Sequence, residues 1–367
     1  MDVLILSASF GGGHMAVSEA LEEHLRSEGI NSYIIDLYHI LNPKLNQLNS
    51  KFYIKLMRYA PQLYGLFYNL TYDLGMDNIF NKIGSFIGRL KLVDMLNKYN
   101  PKVVVSTYPT YTGMLSYLKK EEFSHIYAMT VITDFVAHTQ WIHKHVDTYF
   151  VASQEVAFHL MKKGIPPNKV EVSGIPIRSS FSKHYNREIV LKNYGLKPDK
   201  PVILIMNIAF GNLKIYHEVF SCLMDIKGSF QGVVLCGENE KLYKKVVVYK
   251  DKLVPLFGKV DIAELMSVSN ILISKSGGIT TSEALSMGLP IIFYKPVPGQ
   301  EMHNADYVSR HGAGVIIKRR EELKNLLNIL LENPELCMKM REKAKEVGKP
   351  YAAKYVAKYI SDVLRKL

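Results

Sequence analysis

The chain has 367 residues and a mass of 41.8 kDa, more than one core usually fills, so two domains of roughly 150 to 200 residues each are expected. Apolar residues at 48% and charged residues at 22% exclude a disordered, collagenous or coiled-coil chain. The formal charge of +12 calls for an acidic partner, whether nucleic acid, anionic lipid or a phosphorylated substrate, while Cys222, Cys236 and Cys337 show no spacing that suggests a disulfide framework or a zinc cluster.

The chain opens on a βαβ pattern: the apolar run Val3–Ser7, a helix over residues 15–28 with Ala16, Ala20, Leu21 and Leu25 on one face, and a strand over residues 33–36. Asp2 and the shortness of the first apolar run leave no secretory signal core, so a soluble start is expected. Further strands are predicted at residues 103–106, 128–132, 149–152 and 170–172, which points to a parallel, doubly wound sheet. The uncharged run from 103 to 118 contains Pro109 and Gly113 and does not read as a spanning helix.

Residues 43–97 break the alternation with an inserted, helical, aromatic and basic segment; residues 51–100 carry seven Lys or Arg against three Asp. Lys51, Phe52, Lys55, Arg58, Tyr59, Tyr64, Phe67, Tyr68, Lys82, Arg89 and Lys91 are its candidates for contact with an anionic membrane surface. A helical cap with a solvated basic face is the competing reading. The turn Gly174-Ile-Pro-Ile-Arg178 marks a linker, after which a second series of strands follows at 202–206, 233–236, 271–274, 291–294 and 315–317. The expected division is therefore 1–178, 179–350 and a C-terminal helix over 351–367. Nucleic acid is not favoured, because no recognition motif appears.

Four loops carry polar chemistry. Ser9-Phe10-Gly11-Gly12-Gly13-His14 joins a strand to a helix, where glycines let backbone N–H groups meet an anion. Gly11, Gly13 and Ala16 also satisfy a dinucleotide fingerprint with Asp36 in the ribose position, so an NAD-dependent enzyme is a competitor; His14 is the residue that such a turn does not need. At the end of the fourth expected strand, Thr133-Asp134 offers a general base or a partner for His14, or merely a helix cap. His138, His143 and His145 match no metal-ligand spacing, and no metal is expected.

In the second half, Ser274-Lys275-Ser276-Gly277-Gly278-Ile279-Thr280 leads from a strand into a helix bearing Glu283, a suitable end for a diphosphate and a ribose, or else an ordinary glycine-rich cap. It lacks the Gly-Lys-Ser/Thr order of a Walker loop. Lys295-Pro-Val-Pro-Gly-Gln300-Glu301, with Asn304, sets amide and carboxylate groups on a rigid turn, as sugar hydroxyls require.

Taken in this order and spacing, these motifs resemble glycosyltransferase family 28, on the side of the monogalactosyldiacylglycerol synthases and processive diacylglycerol β-glucosyltransferases. The resemblance runs from Gly11–His14 through Asp134, His138, Trp141 and His143 to Gly277-Gly278, Glu283 and Gln300-Glu301 with Asn304. It implies a GT-B fold, two Rossmann-like α/β domains facing a cleft, with a C-terminal helix crossing back to the N-terminal domain. It also implies a cytoplasmic enzyme, peripheral on the inner face of the cell membrane, that transfers a hexose from UDP-glucose or UDP-galactose to diacylglycerol or a glycosyl-diacylglycerol with inversion and without a metal. UDP-GlcNAc transfer to a polyprenyl-linked peptidoglycan precursor is the alternative within the family.

Carried over by the resemblance, His14 and Asp134 are catalytic, and Gly11, Gly12, Gly13 and His138 line the acceptor loop. Phe257 and Gly258 meet uracil, Glu283 the ribose, and Ser276, Gly277, Gly278 and Thr280 the phosphates, with Arg178 in reach of the diphosphate. Gln300, Glu301 and Asn304 read the sugar. One departure is Asn207-Ile-Ala-Phe-Gly-Asn212, where relatives carry a glycine-rich loop, so the group that touches the leaving phosphate there is open.

Overall fold

The structure, a computed structural model, describes residues 1–9, 12–37, 39, 55–57, 59–72, 88–208 and 212–367. It divides into two compact units, Met1–Lys55 with Leu63–Ser179 and Lys349–Leu367, and Leu56–Gln62 with Ser180–Gly348.

The first unit is built on strands β1 (Val3–Ser7), β2 (Ser32–Asp36), β3 (Val103–Ser106), β4 (Tyr127–Val131), β5 (Thr148–Val151) and β6 (Val170–Val172). All pair in parallel in the order β2-β1-β3-β4-β5-β6. Its helices are α1 (Gly13–Ser27), α2 (Pro61–Tyr72), α3 (Arg89–Tyr99), α4 (Pro109–Glu121) and α5 (Gln154–Lys162), and the C-terminal helix Ala352–Leu364 packs on α1. A parallel sheet covered on both faces demands uninterrupted apolar strands, and Val3, Leu4, Ile5, Leu6, Val103, Val104 and Val105 are all fully buried. That is why the sequence pattern finds these strands. Where the chain leaves β6, Gly174 takes φ +84°, and a Cβ there would stand 2.4 Å from Lys349 Cβ, so this turn accepts only glycine.

The second unit contains α6 (Arg187–Asn193), β7 (Val202–Ile205), α7 (Leu213–Met224), β8 (Gln231–Gly237), α8 (Glu240–Val247) and β9 (Leu253–Phe257). It continues with α9 (Ile262–Val268), β10 (Ile271–Ser274), α10 (Gly278–Ser286), β11 (Ile291–Tyr294), α11 (Gln300–Arg310), β12 (Gly314–Ile317), α12 (Arg320–Glu332) and α13 (Pro334–Val347). The parallel order is β12-β11-β10-β7-β8-β9 around a core that includes Ile203, Ile205, Phe220, Val234, Ile273 and Ile292. Strand β9 is absent from the sequence reading because Pro255 interrupts its run. Its place at the sheet edge is where a proline is tolerated.

In each sheet the winding reverses once among the described strands, between β1 and β3 in the first and between β7 and β10 in the second. The loops that leave these neighbouring strands part in opposite directions at the carboxyl edge, opening a crevice in which such sheets bind ligands. The loop after β1 leads to His14; the loop after β10 is Lys275 to Gly277.

Candidate active site

At the first switch point, Gly12 caps α1 in the left-handed conformation, φ +75°, and no side chain closes the helix end. His14 follows in the first turn, and its Nδ1 lies 2.7 Å from the carbonyl oxygen of Thr107, which leaves β3. A carbonyl can only accept, so Nδ1 carries the proton and Nε2 keeps its lone pair. Thr133 Oγ1 approaches the same Nδ1 at 3.2 Å. The ring also stands edge-on to Tyr108 at 5.1 Å and 6.3 Å from Trp141. Burial pulls the His14 pKa down to about 4 against the opposing Thr107 carbonyl, so the imidazole is neutral at physiological pH.

Beneath His14 runs a buried hydroxyl network. Ser18 Oγ donates to the His14 carbonyl at 3.0 Å and meets Thr107 Oγ1 at 3.0 Å, and Thr107 Oγ1 reaches Ser7 Oγ at 3.3 Å. Ser7, Ser18 and Thr107 are fully buried. This network joins α1, β1 and β3, and it orients the histidine. The sequence reading misses Ser18 and Thr107 and gives Thr133 no role; for Thr107 the one visible signal is a hydroxyl residue at the end of an apolar strand run, and Ser18 on the helix has none.

Asp134 is buried beside Thr133, and its charge is felt at Tyr68, whose phenol is pushed far up by burial first and then by Asp134, Tyr64 and Tyr72. Tyr68 is 8% exposed, with its ring 4.8 Å from that of His138. This corrects its placement among residues facing a membrane. On α2, Tyr64, Tyr68, Thr71 and Tyr72 share one helical face and Leu63, Leu66 and Leu70 another, because residues three, four and seven apart fall on one side. The leucines are the exposed face, at 63%, 59% and 68%, with Tyr59 exposed as well. Lys55 is exposed, Arg89 lies over the Tyr117 ring at 4.6 Å, and Lys91 is 4.0 Å from Asp94. Gly11, Lys51, Phe52, Arg58, Lys82 and the Phe67 side chain lie outside the described residues.

His143 Nε2 meets the Gln140 carbonyl at 3.0 Å, and His138 is engaged by Thr71 and Gln140. Among the described residues no group of three His, Cys, Asp or Glu is arranged to hold a metal. Asp36 accepts from the Ser9 N–H at 2.9 Å and the His39 N–H at 3.1 Å, so the carboxylate that an NAD reading needs on a ribose is engaged with its own chain.

In the second unit, Gly277 caps α10 with no side-chain hydrogen bond and no acidic residue in the first turn, so the helix end presents N–H groups and a positive dipole. Ser276 is fully buried, Gly278 is buried as the first helical residue, Thr280 is partly buried, and Glu283 is 5% exposed in the second turn. Ser274 Oγ, Thr281 Oγ1 and Ser282 Oγ are buried without a hydrogen-bond partner among the described residues, a cost that a polar ligand or ordered water relieves.

Glu301 and Asn304 join this loop to the next. Glu301 Oε1 pairs with Lys275 Nζ at 3.2 Å and Oε2 accepts from the Val297 N–H at 3.3 Å. Ser276 Oγ donates to the Glu301 carbonyl at 2.5 Å, and Asn304 Nδ2 to the Ser276 carbonyl at 3.0 Å. Gln300 is partly buried at the start of α11. Lys295, at φ +51°, pairs with Glu218 of α7, which also accepts from Tyr294 at 3.1 Å. Burial raises the Glu218 carboxyl, but Lys295 and Tyr294 outweigh it and hold the pKa below the usual range. Phe257 is exposed and edge-on to Tyr243 at 5.6 Å; Gly258 takes φ +80°, and Arg178 is exposed.

Residues 14–177 match the model of the monogalactosyldiacylglycerol (MGDG) synthase family, and residues 186–347 match glycosyl transferases group 1. A processive diacylglycerol beta-glucosyltransferase of Bacillus pumilus is 34% identical over 94% of this chain and 90% of its own, and one of Bacillus cereus is 36% identical over 94% and 89%. The chain belongs to the diacylglycerol glycosyltransferase family. Among solved structures, Acinetobacter baumannii MurG superposes with a TM-score of 0.65 at 16% identity, each chain covered completely, which supports the GT-B fold for this family member. No described helix is long and apolar enough to cross a membrane.

Proposed function

We propose that the protein transfers a hexose from a UDP-sugar, UDP-glucose before UDP-galactose, to diacylglycerol or a glycosyl-diacylglycerol with inversion at the anomeric carbon. Kinship over nearly the whole chain with proteins of that named activity carries the reading. The geometry agrees with it. Along the carboxyl edge of the second sheet, Phe257 ends β9, the Lys275–Gly278 loop follows β10, and the Lys295–Gln300 loop follows the adjacent β11. Three strand spacings separate β9 from β10, about 14 Å, so the order of the loops matches that of base, diphosphate and sugar.

His14 Nε2 takes the proton of the acceptor hydroxyl as its oxygen attacks the anomeric carbon, and the bond to UDP breaks. The α10 terminus and Lys275 stabilise the departing diphosphate. The protein, offered UDP-glucose or UDP-galactose with diacylglycerol, is expected to release UDP and form a β-linked hexosyl lipid, identified by mass and linkage analysis. Transfer of GlcNAc to a polyprenyl-linked acceptor alone would favour the other branch of the family, and thermal stabilisation by NAD but not UDP would overturn the reading.

The working site we propose is the anionic surface on the inner face of the cell membrane. In support, Leu63, Leu66 and Leu70 form an exposed stripe on α2, in a chain of charge +12. A leucine is worth roughly 1.5 to 3 kcal/mol when fully buried, and each basic group near an anionic surface about 1 kcal/mol. Serine at all three positions is expected to abolish flotation with vesicles containing phosphatidylglycerol; unchanged flotation would remove α2 from the membrane reading.

A further inference from the structure

Near the C-terminal end of α2, Thr71 bonds to the turn that follows β4. Thr71 Oγ1 lies 3.0 Å from His138 Nε2, and the Thr71 carbonyl accepts from Thr139 Oγ1 at 3.0 Å. Both Thr71 and His138 are buried.

The donors fix the protons. The Gln140 N–H donates to His138 Nδ1 at 3.2 Å, so that nitrogen bears the lone pair and neutral His138 carries its proton on Nε2. Nε2–H then donates to Thr71 Oγ1, whose own hydrogen goes to the Tyr68 carbonyl at 3.2 Å. His14 holds the opposite tautomer, with Nδ1–H on the Thr107 carbonyl. Of the two histidines, His14 retains a lone pair for proton transfer, while both nitrogens of His138 are engaged in holding helix to turn.

His138 caps the short turn Thr139–Trp141, and the Trp141 ring stands 6.3 Å from that of His14. On the other side, Tyr68 and Tyr72 pack on His138 at 4.8 and 5.9 Å. One chain of contacts therefore runs from α2, whose opposite face is the exposed leucine stripe, through Thr71, His138 and Trp141 to His14.

We propose that Thr71 and His138 are positioning residues for the lipid acceptor, a latch that sets α2 and its aromatic face so that an acceptor drawn from the bilayer reaches His14. This deepens the acceptor reading above and rests on it. Thr71→Val keeps the side-chain shape but leaves the His138 Nε2–H without its acceptor, and Thr71→Ser keeps the hydroxyl.

Initial rates measured on mixed vesicles, with diacylglycerol and UDP-glucose varied in turn, test it. Thr71→Val is expected to raise the acceptor KM about tenfold, as loss of one buried hydrogen bond does, with donor KM and thermal stabilisation by UDP unchanged. Thr71→Ser is expected to restore the acceptor KM. Equal acceptor KM in wild type and Thr71→Val would overturn the proposal, as would a parallel loss of both KM values and of melting temperature, which marks a merely structural bond. Imidazole 15N NMR, which needs no substrate, is expected to show His138 as the Nε2–H tautomer; Nδ1–H would overturn the latch alone. A wild-type enzyme that transfers nothing to diacylglycerol would overturn the acceptor reading and the coupling with it.

Discussion

Replacing His14 with alanine is expected to lower turnover by roughly 10² to 10⁴ while UDP still binds, the loss associated with removing a general base. The reason lies in how the ring is held. Thr107 fixes the proton on Nδ1, so Nε2 is the basic atom, and the buried Ser18–Thr107–Ser7 hydroxyls fix the backbone from which the ring projects. Steady-state rates and UDP-induced thermal shifts, measured on the same preparations, separate chemistry from binding. Asp134→Ala is the companion variant. A His14→Ala enzyme at near wild-type turnover, with Asp134→Ala inactive, would transfer the base to Asp134.

The pH profile follows from the same ring. Its pKa is lowered to about 4, so the neutral ring proposed as the base is present throughout the neutral range and is lost as pH falls through about 4. The acid limb of kcat/KM for the free enzyme is therefore expected near pH 4 rather than near the ordinary imidazole value of about 6.5. A limb near 6.5 that disappears in His14→Ala would show that the ring is more solvated than this geometry allows.

The two sheets were legible because parallel strands buried on both faces leave continuous apolar runs, as in Val103–Ser106 and Ile271–Ser274. Strand β9 was hidden by Pro255, since a proline inside a run ordinarily argues against a strand. The loops that carry His14 and the Gly277-Gly278 pair were readable from glycines placed between strand and helix. The residues that orient His14 were not, because Thr107 and Thr133 lie 93 and 119 positions away and only sheet order brings them together. Composition found an amphipathic aromatic segment but misjudged its inner face: on α2, Tyr68 and Tyr72 pack on His138 and the leucines face outward. Leucine is unremarkable in composition, and only the helical phase distinguishes it here.

Glu301→Ala is expected to cost roughly 2 to 4 kcal/mol of stability, because it removes the partner of Lys275 and the acceptor of the Val297 N–H at a carboxylate only 5% exposed. For a unit of this size that corresponds to a melting temperature lower by about 5 to 10 °C. The consequence for function distinguishes two roles. If Glu301 chiefly joins the loops after β10 and β11, its loss disorders the Lys275–Gly278 loop, and UDP and UDP-glucose weaken together. If it chiefly reads sugar hydroxyls, as the sequence suggests, only UDP-glucose weakens and UDP affinity is retained. Its contacts favour the first, with both carboxylate oxygens and the backbone carbonyl bonded to neighbouring loops. Glu301→Gln, which keeps an acceptor for Val297 but not the charge for Lys275, is expected to fall between wild type and alanine in calorimetric titrations with UDP; a Glu301→Ala enzyme that melts as wild type and binds UDP normally would return Glu301 to the sugar.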